Sequence, residues 1–373
     1  MKVLYLTNLP APYRMRFFEK LGNLCDLTAV IERKTANDRD AKWFEQNINR
    51  TFKYIALKGI QWNNDSGFSP SVLRWLRKRQ FDIIVIGGYS SPTEILAILY
   101  MRLRGIPFVL SADGGFAVKG ESAIRKKIKQ ILIGSASHWL ASGKGTAEFL
   151  EFYGADSERT FLYPFTSVEN GDIMPEALEE PEKGSYKRIL GLDGKQVVLS
   201  IGQFIPRKGF DILLDAWNRL PHDNDMLAVI GGGPLKAQYT DIISDLQIKN
   251  IMLLDFMKKK ELLEWYRAAD LFVLPTRYDI WGLVINEAMA QGLPVISTSG
   301  ALAGLELVYQ GCNGYIVPIN EAGALASCIG RLLNDRTLRK HMSECAIETI
   351  KPYTIENMAI SHMKAFEAIL GKS

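Results

Sequence analysis

The 373-residue sequence contains few cysteines and few histidines, with four of each. The cysteines lie far apart, at Cys25, Cys312, Cys328 and Cys345, in a spacing that matches neither a disulfide framework nor a metal site. Isolated thiols of this kind are typical of proteins in a reducing cytosol. The scarcity of histidine also argues against a catalytic metal centre. We therefore expect no bound metal ion and no organic cofactor.

Long apolar segments are also missing from the sequence. No stretch approaches the ~18–20 residues that a membrane-spanning helix requires. Residues 1–7 have the pattern of a buried strand and not that of a signal peptide. The 47% of hydrophobic residues is ordinary for a globular protein and excludes extensive disorder. A folded protein in the cytoplasm is therefore expected.

The net charge of +4 is small, but basic residues are concentrated in two runs, residues 74–79 and 125–129. Each run has the pattern of an amphipathic helix. Two interpretations remain open: a solvated helix face, or a surface that attracts an anionic membrane with ~1 kcal/mol per basic residue. The second would place the protein peripherally on the inner face of the cell membrane. Trp75 is the one aromatic residue within these two runs, so stacking residues are not interleaved through them and we expect no nucleic-acid partner.

Short apolar runs alternate with helical patterns along most of the chain. In the first half the predicted strands are residues 2–7, 27–31, 82–87, 107–111 and 139–141. In the second half they are residues 196–202, 226–231, 251–254, 271–274, 294–297 and 314–317. Apolar strands separated by helices indicate parallel sheets that are covered on both faces. The predicted fold class is α/β, with two doubly wound parallel-sheet domains.

One stretch rich in Glu, Pro and Gly, residues 166–187, interrupts this alternation. We interpret residues 171–186 as a linker between an amino-terminal domain, residues 1–170, and a carboxy-terminal domain, residues 187–353. A last helix, about residues 354–373, is expected to pack back on the amino-terminal domain. Ligands of open α/β sheets bind at the carboxyl ends of the strands, so a cleft between the domains is the expected site.

The most informative segment is RYDIWGLVINEAMAQGLPVI, residues 277–296. It contains a loop with Asp279 and then a predicted helix, residues 283–291, that ends at a Gly-Leu-Pro sequence. Glu287 lies about one turn inside this helix. The start of the helix offers free N–H groups to a phosphate, and both carboxylates can accept hydrogen bonds from hydroxyl groups. An acidic pair alone is more often a solvated helix face, so the wider sequence decides.

Three further segments precede this one: SIGQFIPRKGF at residues 200–210, IGGGPL at 230–235 and YRAADLFVLP at 266–275. With these four segments in order, the chain resembles glycosyltransferase family 4, whose members carry two acidic residues separated by seven others. The resemblance covers most of the chain and is strongest over residues 198–318. It implies a GT-B fold, in which two Rossmann-like domains face each other across a cleft. It also implies retaining transfer of a sugar from a UDP- or GDP-sugar.

The same resemblance implies roles for individual residues. Glu287 matches the residue that binds ribose hydroxyls, and Asp279 matches the one that contacts the transferred sugar. Arg207 and Lys208 match the pair that binds the diphosphate, where fixed cations favour a transition state that gains negative charge. With these cations no metal ion is expected to be needed. The remaining donor-binding residues that it implies are Gly202, Gly232, Gly233, Ile280, Trp281, Gly282 and Leu283.

Two residues depart from the family pattern. Asp279 stands where most members have Glu, which shortens the side chain by one methylene group. Asp255 stands where relatives commonly have Gly near the nucleotide base. The first departure leaves the geometry of the sugar contact open, and the second leaves the preferred base open.

The amino-terminal half contains two candidate acceptor segments. In NLPAPYR, residues 8–14, Tyr13 and Arg14 are candidate acceptor-binding residues, and Arg14 could meet an acceptor phosphate or the donor diphosphate. The alternative is a rigid loop in which Pro12 begins a helix. In SADGGF, residues 111–116, Asp113 is a candidate for contacting the transferred sugar or an acceptor hydroxyl, since two glycines allow close backbone approach. The alternative is a tight turn that caps the next helix.

These observations predict a retaining glycosyltransferase with a glycan or lipid-linked acceptor, in cell-surface polysaccharide or glycolipid synthesis. Its expected catalytic residues are Arg207, Lys208, Asp113 and Asp279. Two alternatives remain: a catalytically silent GT-B scaffold protein, and another GT-B enzyme such as a nucleotide-sugar epimerase.

Overall fold

The computed structural model describes residues 1–34, 51–61, 67–77, 80–117, 120–221 and 224–371. The chain divides into two compact units. Unit 1 comprises Met1–Ser167 and Tyr353–Ser373, and unit 2 comprises Val168–Pro352. Among the described residues, no helix has both the length and the apolar character needed to cross a membrane.

Unit 1 is built on a seven-stranded sheet in which every neighbouring pair of strands is parallel. Its strands are β1 Lys2–Thr7, β2 Asp26–Ile31, β3 Lys53–Ala56, β6 Ile83–Ile86, β7 Val109–Ala112, β8 His138–Ala141 and β9 Thr160–Leu162. They lie in the order β3-β2-β1-β6-β7-β8-β9, beside a short antiparallel hairpin of β4 Ile60–Gln61 and β5 Gly67–Phe68. The central strands are continuously apolar because helices cover both faces of the sheet.

The helices of unit 1 are α1 Pro12–Gly22, α2 Pro92–Arg104, α3 Ala123–Ile133, α4 Lys144–Phe152 and, at the other end of the chain, α13 Ile355–Ile369. Short 3₁₀ turns lie at Pro70–Arg74 and Ser157–Arg159. Helix α13 packs against α1 and buries Ile355, Met358, His362 and Phe366 among its inward residues. The last helix therefore completes the core of unit 1.

Helix α2 begins with a capping box and ends at a glycine. The Ser91 hydroxyl accepts the backbone N–H of Glu94, and the Glu94 carboxylate accepts the backbone N–H of Ser91 at 3.0 Å. The Glu94 side chain is buried beside Glu32, a second buried carboxylate, which accepts the Ser91 hydroxyl at 2.6 Å. Gly105 has a φ of 60°, a left-handed conformation that glycine adopts without steric cost.

Unit 2 contains a six-stranded, fully parallel sheet in the order β12-β11-β10-β13-β14-β15. Its strands are β10 Gln196–Ile201, β11 Asp225–Ile230, β12 Ile251–Leu254, β13 Leu271–Leu274, β14 Val295–Thr298 and β15 Gly314–Val317. Its helices are α5 Glu180–Ile189, α6 Phe210–Asn218, α7 Lys236–Asp245, α8 Lys259–Ala268, α9 Leu283–Ala290, α10 Leu302–Leu307, α11 Ala322–Asn334 and α12 Arg336–Ile350. The strand order reverses between β10 and β13, which is where such sheets bind nucleotides.

The structure confirms the predicted fold class of two doubly wound parallel sheets. The predicted strands agree with the observed ones to within about two residues, because continuous apolar runs in parallel sheets are easily recognised. Two predictions of local structure were wrong. Residues 171–186, interpreted as a linker, include the first part of helix α5 and the last two residues of the 3₁₀ turn Asn170–Asp172. Helix α5 packs on α8, and its Lys187 ammonium donates to the buried Asp270 at 2.8 Å.

The second error concerns the first basic run, residues 74–79. The 3₁₀ turn Pro70–Arg74 ends where this run begins, so the described part of the run is not an amphipathic α-helix. Lys78 and Arg79 lie outside the described residues. The other basic run, residues 125–129, does lie on a helix, α3.

Candidate functional site

The acidic segment of unit 2 leaves the carboxyl end of β13 and enters helix α9. Gly282, the residue before the helix, has a φ of 106°, a conformation that side chains disfavour. Helix α9 begins at Leu283, as predicted, and Glu287 lies about one turn inside it. The backbone N–H of Asp279 donates to Gly300 at 2.7 Å and thereby holds the loop against the segment after β14.

Asp279 lies in contact with both cations that the sequence predicts beside it. The Lys208 ammonium donates to the Asp279 carboxylate, and both side chains are buried. The Arg207 guanidinium lies 3.7 Å from the other carboxylate oxygen and donates to the Tyr278 carbonyl at 3.2 Å. Residues that are 71 positions apart in sequence thus form one charged cluster at the β10–β13 edge.

The loop that carries Arg207 and Lys208 packs directly on the acidic loop. A Cβ atom at Gly209 would lie 2.2 Å from the Pro275 carbonyl oxygen, so only glycine fits there. The Arg277 guanidinium makes two hydrogen bonds to the Asp211 carboxylate, at 2.9 and 2.5 Å, and a third to the Pro206 carbonyl at 2.7 Å. Arg277, the first residue of the acidic segment, and Asp211 were not predicted from the sequence as part of the site.

Glu287 is held by Tyr266, which was not predicted from the sequence as part of the site. The Tyr266 hydroxyl donates to a Glu287 carboxylate oxygen at 3.0 Å. Burial, together with this carboxylate, raises the pKa of Tyr266 well above its usual range, so the hydroxyl remains a donor. The orientation of Glu287 therefore depends on α8 as well as on α9.

The predicted glycine turns lie beside this cluster. Gly202 follows β10, and its N–H donates to the Ile230 carbonyl at 3.0 Å. A Cβ atom at Gly233 would lie 2.7 Å from the Phe204 carbonyl oxygen, whereas one at Gly232 would enter open space. Close backbone packing therefore explains Gly233, and Gly232 has room beside it for a ligand. After β12, the exposed Asp255 side chain forms an ion pair with Lys236.

The other predicted donor-binding residues differ in their exposure. Ile280 is exposed and Leu283 is half-buried. The Trp281 side chain is buried, and its indole N–H donates to Asn286 at 2.9 Å. In this structure Trp281 can therefore meet a ligand only through its backbone.

In unit 1, Tyr13, Arg14 and Asp113 also come together. Arg14 forms an ion pair with Asp113 and donates to the Tyr5 hydroxyl at 3.3 Å. The Tyr13 hydroxyl lies 3.4 Å from the same carboxylate oxygen, and the Tyr163 hydroxyl donates to the other at 2.9 Å. Asp113 follows β7, so this cluster also lies at a carboxyl edge of a sheet. Tyr163 was not predicted from the sequence.

Arg14 does not have the environment expected of a phosphate ligand. Only 3% of its side chain is exposed, and its charge is already matched by Asp113. The pKa of Arg14 is raised well above its usual range because Asp113 and three tyrosines outweigh the effect of burial. Of the two interpretations of this segment, direct contact of Arg14 with a phosphate stays a prediction, and helix α1 does begin at Pro12.

The part of the chain that contains the charged cluster matches a family of known proteins. Residues 182–349 match the model described as "Glycosyl transferases group 1". The UDP-Gal:alpha-D-GlcNAc-diphosphoundecaprenol alpha-1,3-galactosyltransferase of Escherichia coli is 25% identical over 334 residues, which are 84% of this chain and 82% of that protein. The lipopolysaccharide core biosynthesis mannosyltransferase LpsB of Rhizobium meliloti is 30% identical over 231 residues, 58% of this chain and 65% of its own.

Solved structures resemble the chain over nearly its whole length. Anabaena HepE in complex with UDP has a TM-score of 0.79 at 17% identity, covering 99% of this chain and 100% of its own. WaaG, a glycosyltransferase involved in lipopolysaccharide biosynthesis, has a TM-score of 0.71 at 16% identity with the same coverage. At this level of identity the likeness establishes the fold, which is GT-B.

Proposed function

Because the chain belongs to the group 1 glycosyl transferases, we propose that it moves a sugar from a UDP- or GDP-sugar to a glycan or lipid-linked acceptor with retention of configuration. The observation that carries the donor part is the cluster of Arg207, Lys208 and Asp279 beside the start of helix α9. This cluster offers cations to a diphosphate and a carboxylate to sugar hydroxyls, at the edge where parallel sheets bind nucleotides.

The donor site would work mainly by electrostatics. As the bond between sugar and diphosphate breaks, negative charge grows on the diphosphate. Arg207, Lys208 and the first N–H groups of α9 would stabilise that charge more strongly in the transition state than in the bound donor. Glu287, oriented by Tyr266, would accept hydrogen bonds from the ribose. We expect these groups to suffice without a metal ion.

The names of similar proteins support a membrane-linked acceptor. The E. coli relative is named for a diphosphoundecaprenol-linked acceptor and for an α-1,3 linkage, and the R. meliloti relative for the lipopolysaccharide core. For this chain we propose an acceptor of the same general class, used in the synthesis of a surface polysaccharide or glycolipid.

A surface of unit 1 supports a peripheral position on an anionic membrane. Helices α2 and α3 expose five apolar side chains, which we call the basic–apolar face together with the cations around them: Leu99, Leu103, Ile124, Ile128 and Ile131. The cations are Arg102, Arg104, Arg125, Lys126 and Lys127, and α3 contains no acidic residue. Exposed isoleucines flanked by cations suit insertion between anionic lipid headgroups.

Donor binding can be tested by saturation-transfer NMR with UDP-glucose, UDP-galactose, UDP-N-acetylglucosamine and GDP-mannose. We expect at least one to bind, and Glu287→Ala to weaken it ~10- to 100-fold, the effect of losing hydrogen bonds to a charged group. The exposed Glu344→Ala, on α12, is the matched control and should bind normally. If no donor binds, or if Glu287→Ala binds like wild type, the proposed donor site is wrong.

Transfer can be tested with the bound donor, a lipid-diphosphate sugar acceptor and product analysis by mass spectrometry and ¹H NMR of the anomeric proton. Retention and undiminished transfer in EDTA are expected. Donor binding without any product would favour the silent scaffold. Conversion of the nucleotide-sugar itself, without an acceptor, would favour an epimerase.

Membrane association can be tested by co-sedimentation with phosphatidylcholine vesicles that contain or lack phosphatidylglycerol. Ile124→Ser with Ile128→Ser should reduce binding to the anionic vesicles, and added salt should weaken the wild type. Ile189→Ser with Leu246→Ser, two exposed apolar side chains of unit 2, is the matched control. Equal loss in both double variants would contradict the role of the basic–apolar face.

A further inference from the structure

Arg14 is a charged residue inside an aromatic shell. Its guanidinium carbon lies 5.4–6.0 Å from the ring centroids of Tyr5, Tyr13, Phe17 and Phe165, all within unit 1. Only 3% of the side chain is exposed, so it cannot meet a phosphate in solvent without leaving this shell. A buried cation is stable only beside an opposite charge, and Asp113 provides it.

Asp113 is partly exposed, and the described part of the chain leaves one of its acceptor directions unused. Its carboxylate receives three donors: the Arg14 guanidinium, the Tyr163 hydroxyl at 2.9 Å and the Tyr13 hydroxyl at 3.4 Å. An ionised carboxylate has about four acceptor positions. The side chain is 21% exposed, which leaves room for one hydrogen bond from outside the protein. A sugar hydroxyl is a donor of the kind that a carboxylate oxygen accepts.

We propose that Arg14 and Tyr163 are positioning residues that fix the Asp113 carboxylate to accept a hydrogen bond from a hydroxyl of the transferred sugar or the acceptor. The inference rests on the proposed function, since it assigns a substrate to Asp113. Arg14 holds one carboxylate oxygen and Tyr163 the other, so the group is oriented before the substrate arrives. A dipole or charge that does not have to reorient during the reaction stabilises the transition state more effectively.

Tyr163 is itself held in place by helix α13. The ring of His362, on α13, lies 4.5 Å from the Tyr163 ring and 4.6 Å from the Phe17 ring, measured between centroids. The His362 Nδ1 atom lies 2.8 Å from the Met358 carbonyl. The Tyr163 hydroxyl also lies 3.1 Å from the Ala112 carbonyl, but the shorter contact is with Asp113.

A double-mutant cycle distinguishes action through Asp113 from direct contact with a phosphate. The assay follows release of UDP or GDP from the four nucleotide-sugars named above, with and without acceptor. We expect Arg14→Met to lower kcat ~100-fold and Tyr163→Phe ~5-fold, each with donor KM changed less than about twofold. Arg14→Met combined with Asp113→Asn should be no slower than Asp113→Asn alone, within about twofold. Arg14→Lys, which restores the charge, should recover at least ~10-fold over Arg14→Met.

The proposal would be overturned if the combined variant lost kcat by the product of the two single losses. It would also be overturned if Arg14→Met raised the donor KM and kept a normal kcat. Tyr153→Phe is the matched control, because it removes another buried hydroxyl of unit 1, one that donates to Glu121 at 2.7 Å. It should keep kcat within about twofold of wild type.

Crystal structures of Arg14→Met and Tyr163→Phe provide a readout that does not need turnover. In Arg14→Met the Asp113 carboxylate should turn away from its wild-type position, and in Tyr163→Phe it should shift less. An unmoved carboxylate in both variants would refute the positioning role. If the wild type neither binds nor turns over any of the four donors, the proposed function is wrong. The position of the Asp113 carboxylate in the two variants still decides whether Arg14 and Tyr163 orient it.

Discussion

The Lys208–Asp279 ion pair stabilises unit 2 and orders the cations of the proposed donor site, and both effects depend on its burial. Each side chain is about nine-tenths buried, and Arg207 lies at the more exposed side of the carboxylate. The carboxylate keeps two cations ordered before a donor is present. A donor diphosphate would then become a second anion for cations that are already in place, which limits the entropy lost on binding.

Asp279→Asn tests this arrangement. The amide keeps the shape of the side chain but removes the carboxylate charge beside the buried Lys208 ammonium, so the free energy of unfolding of unit 2 should fall by about 3 kcal/mol. Urea denaturation measures this loss. Asp255→Asn is the control, because the Asp255 side chain is 82% exposed in its pair with Lys236, and no measurable loss is expected. Similar losses in both variants would contradict the argument from burial.

Glu94 gives unit 1 a dependence on pH. Burial raises the pKa of Glu94 to about 7, and the Glu32 carboxylate adds to this, while the N–H groups of Ser91 and Ser90 oppose it. The folded state therefore holds a proton that the unfolded state loses near pH 4.5. Stability that is present below pH 4.5 is lost as the pH rises through 7, by about 3 kcal/mol in total.

Glu94→Gln should remove this dependence, since the amide resembles the protonated acid. The difference in unfolding free energy between variant and wild type should change by about 3 kcal/mol in favour of the variant from pH 4.5 to pH 8. Comparison at each pH cancels the titration of groups that do not interact with Glu94; Glu32 does interact with it, and the pKa of Glu32 is itself raised by burial. A constant difference across this range would mean that Glu94 is already ionised in the folded protein.

The sequence could reveal those site residues whose contacts are made within short motifs, but not those whose contacts come from distant parts of the chain. Arg207, Lys208, Asp279 and Glu287 belong to short motifs at strand ends, so their proximity follows from the order of parallel strands. The burial of Arg14 depends on Asp113, about 100 positions away, and on rings from other segments. No local pattern encodes such a shell, which is why the sequence left the role of Arg14 open.

At the scale of elements, the same distinction separates α5 from the strands. Buried parallel strands can be recognised from their continuous apolar runs. Helix α5 has instead a polar sequence with a proline and a glycine. Its stability comes from packing on α8 and from the buried pair of Lys187 with Asp270. A helix that depends on tertiary contacts is not visible in a single stretch of sequence.

The attachment of α13 to unit 1 should weaken in acid. Burial lowers the pKa of His362 to about 3, and Arg14 contributes in the same direction, while the Met358 carbonyl opposes it. The neutral ring therefore contributes stability that is complete above pH 6.5 and declines as the pH falls toward 3. At pH 5 the loss is about 2 kcal/mol.

His362→Phe keeps an aromatic ring at this position and cannot titrate. The amide protection factors of α13 should fall between pH 7 and pH 5 in the wild type and stay nearly constant in the variant. His341→Phe, at an exposed site on α12, is the control and should behave as the wild type. Parallel declines in His362→Phe and wild type would assign the acid sensitivity to another group.

At the scale of the whole molecule, the two units differ in continuity. Unit 2 is one uninterrupted segment, Val168–Pro352, with its own sheet and its own apolar core. Unit 1 needs both ends of the chain, because α13 covers α1. The units should therefore respond differently when the chain is cut at their boundaries.

A fragment of residues 168–352 should fold alone and unfold in a single cooperative transition. A chain that ends at Pro352 should keep that transition while unit 1 loses roughly 5 kcal/mol or more, from the apolar side chains Ile355, Met358 and Phe366. Circular dichroism and urea denaturation of both proteins measure these effects. Loss of the unit 2 transition in the truncated chain would show that the units do not fold independently.

The interrupted sequence of unit 1 has a consequence for synthesis on the ribosome. Helix α13 is translated after the whole of unit 2, which at about 5–20 residues per second takes roughly 10–40 s. During that time Phe17 and Tyr163 lack the ring of His362 that covers them in the finished protein. We expect the nascent amino-terminal half to need chaperone protection until α13 has left the ribosome, and the residues that pack behind Asp113 to become ordered only after unit 2 has been synthesised.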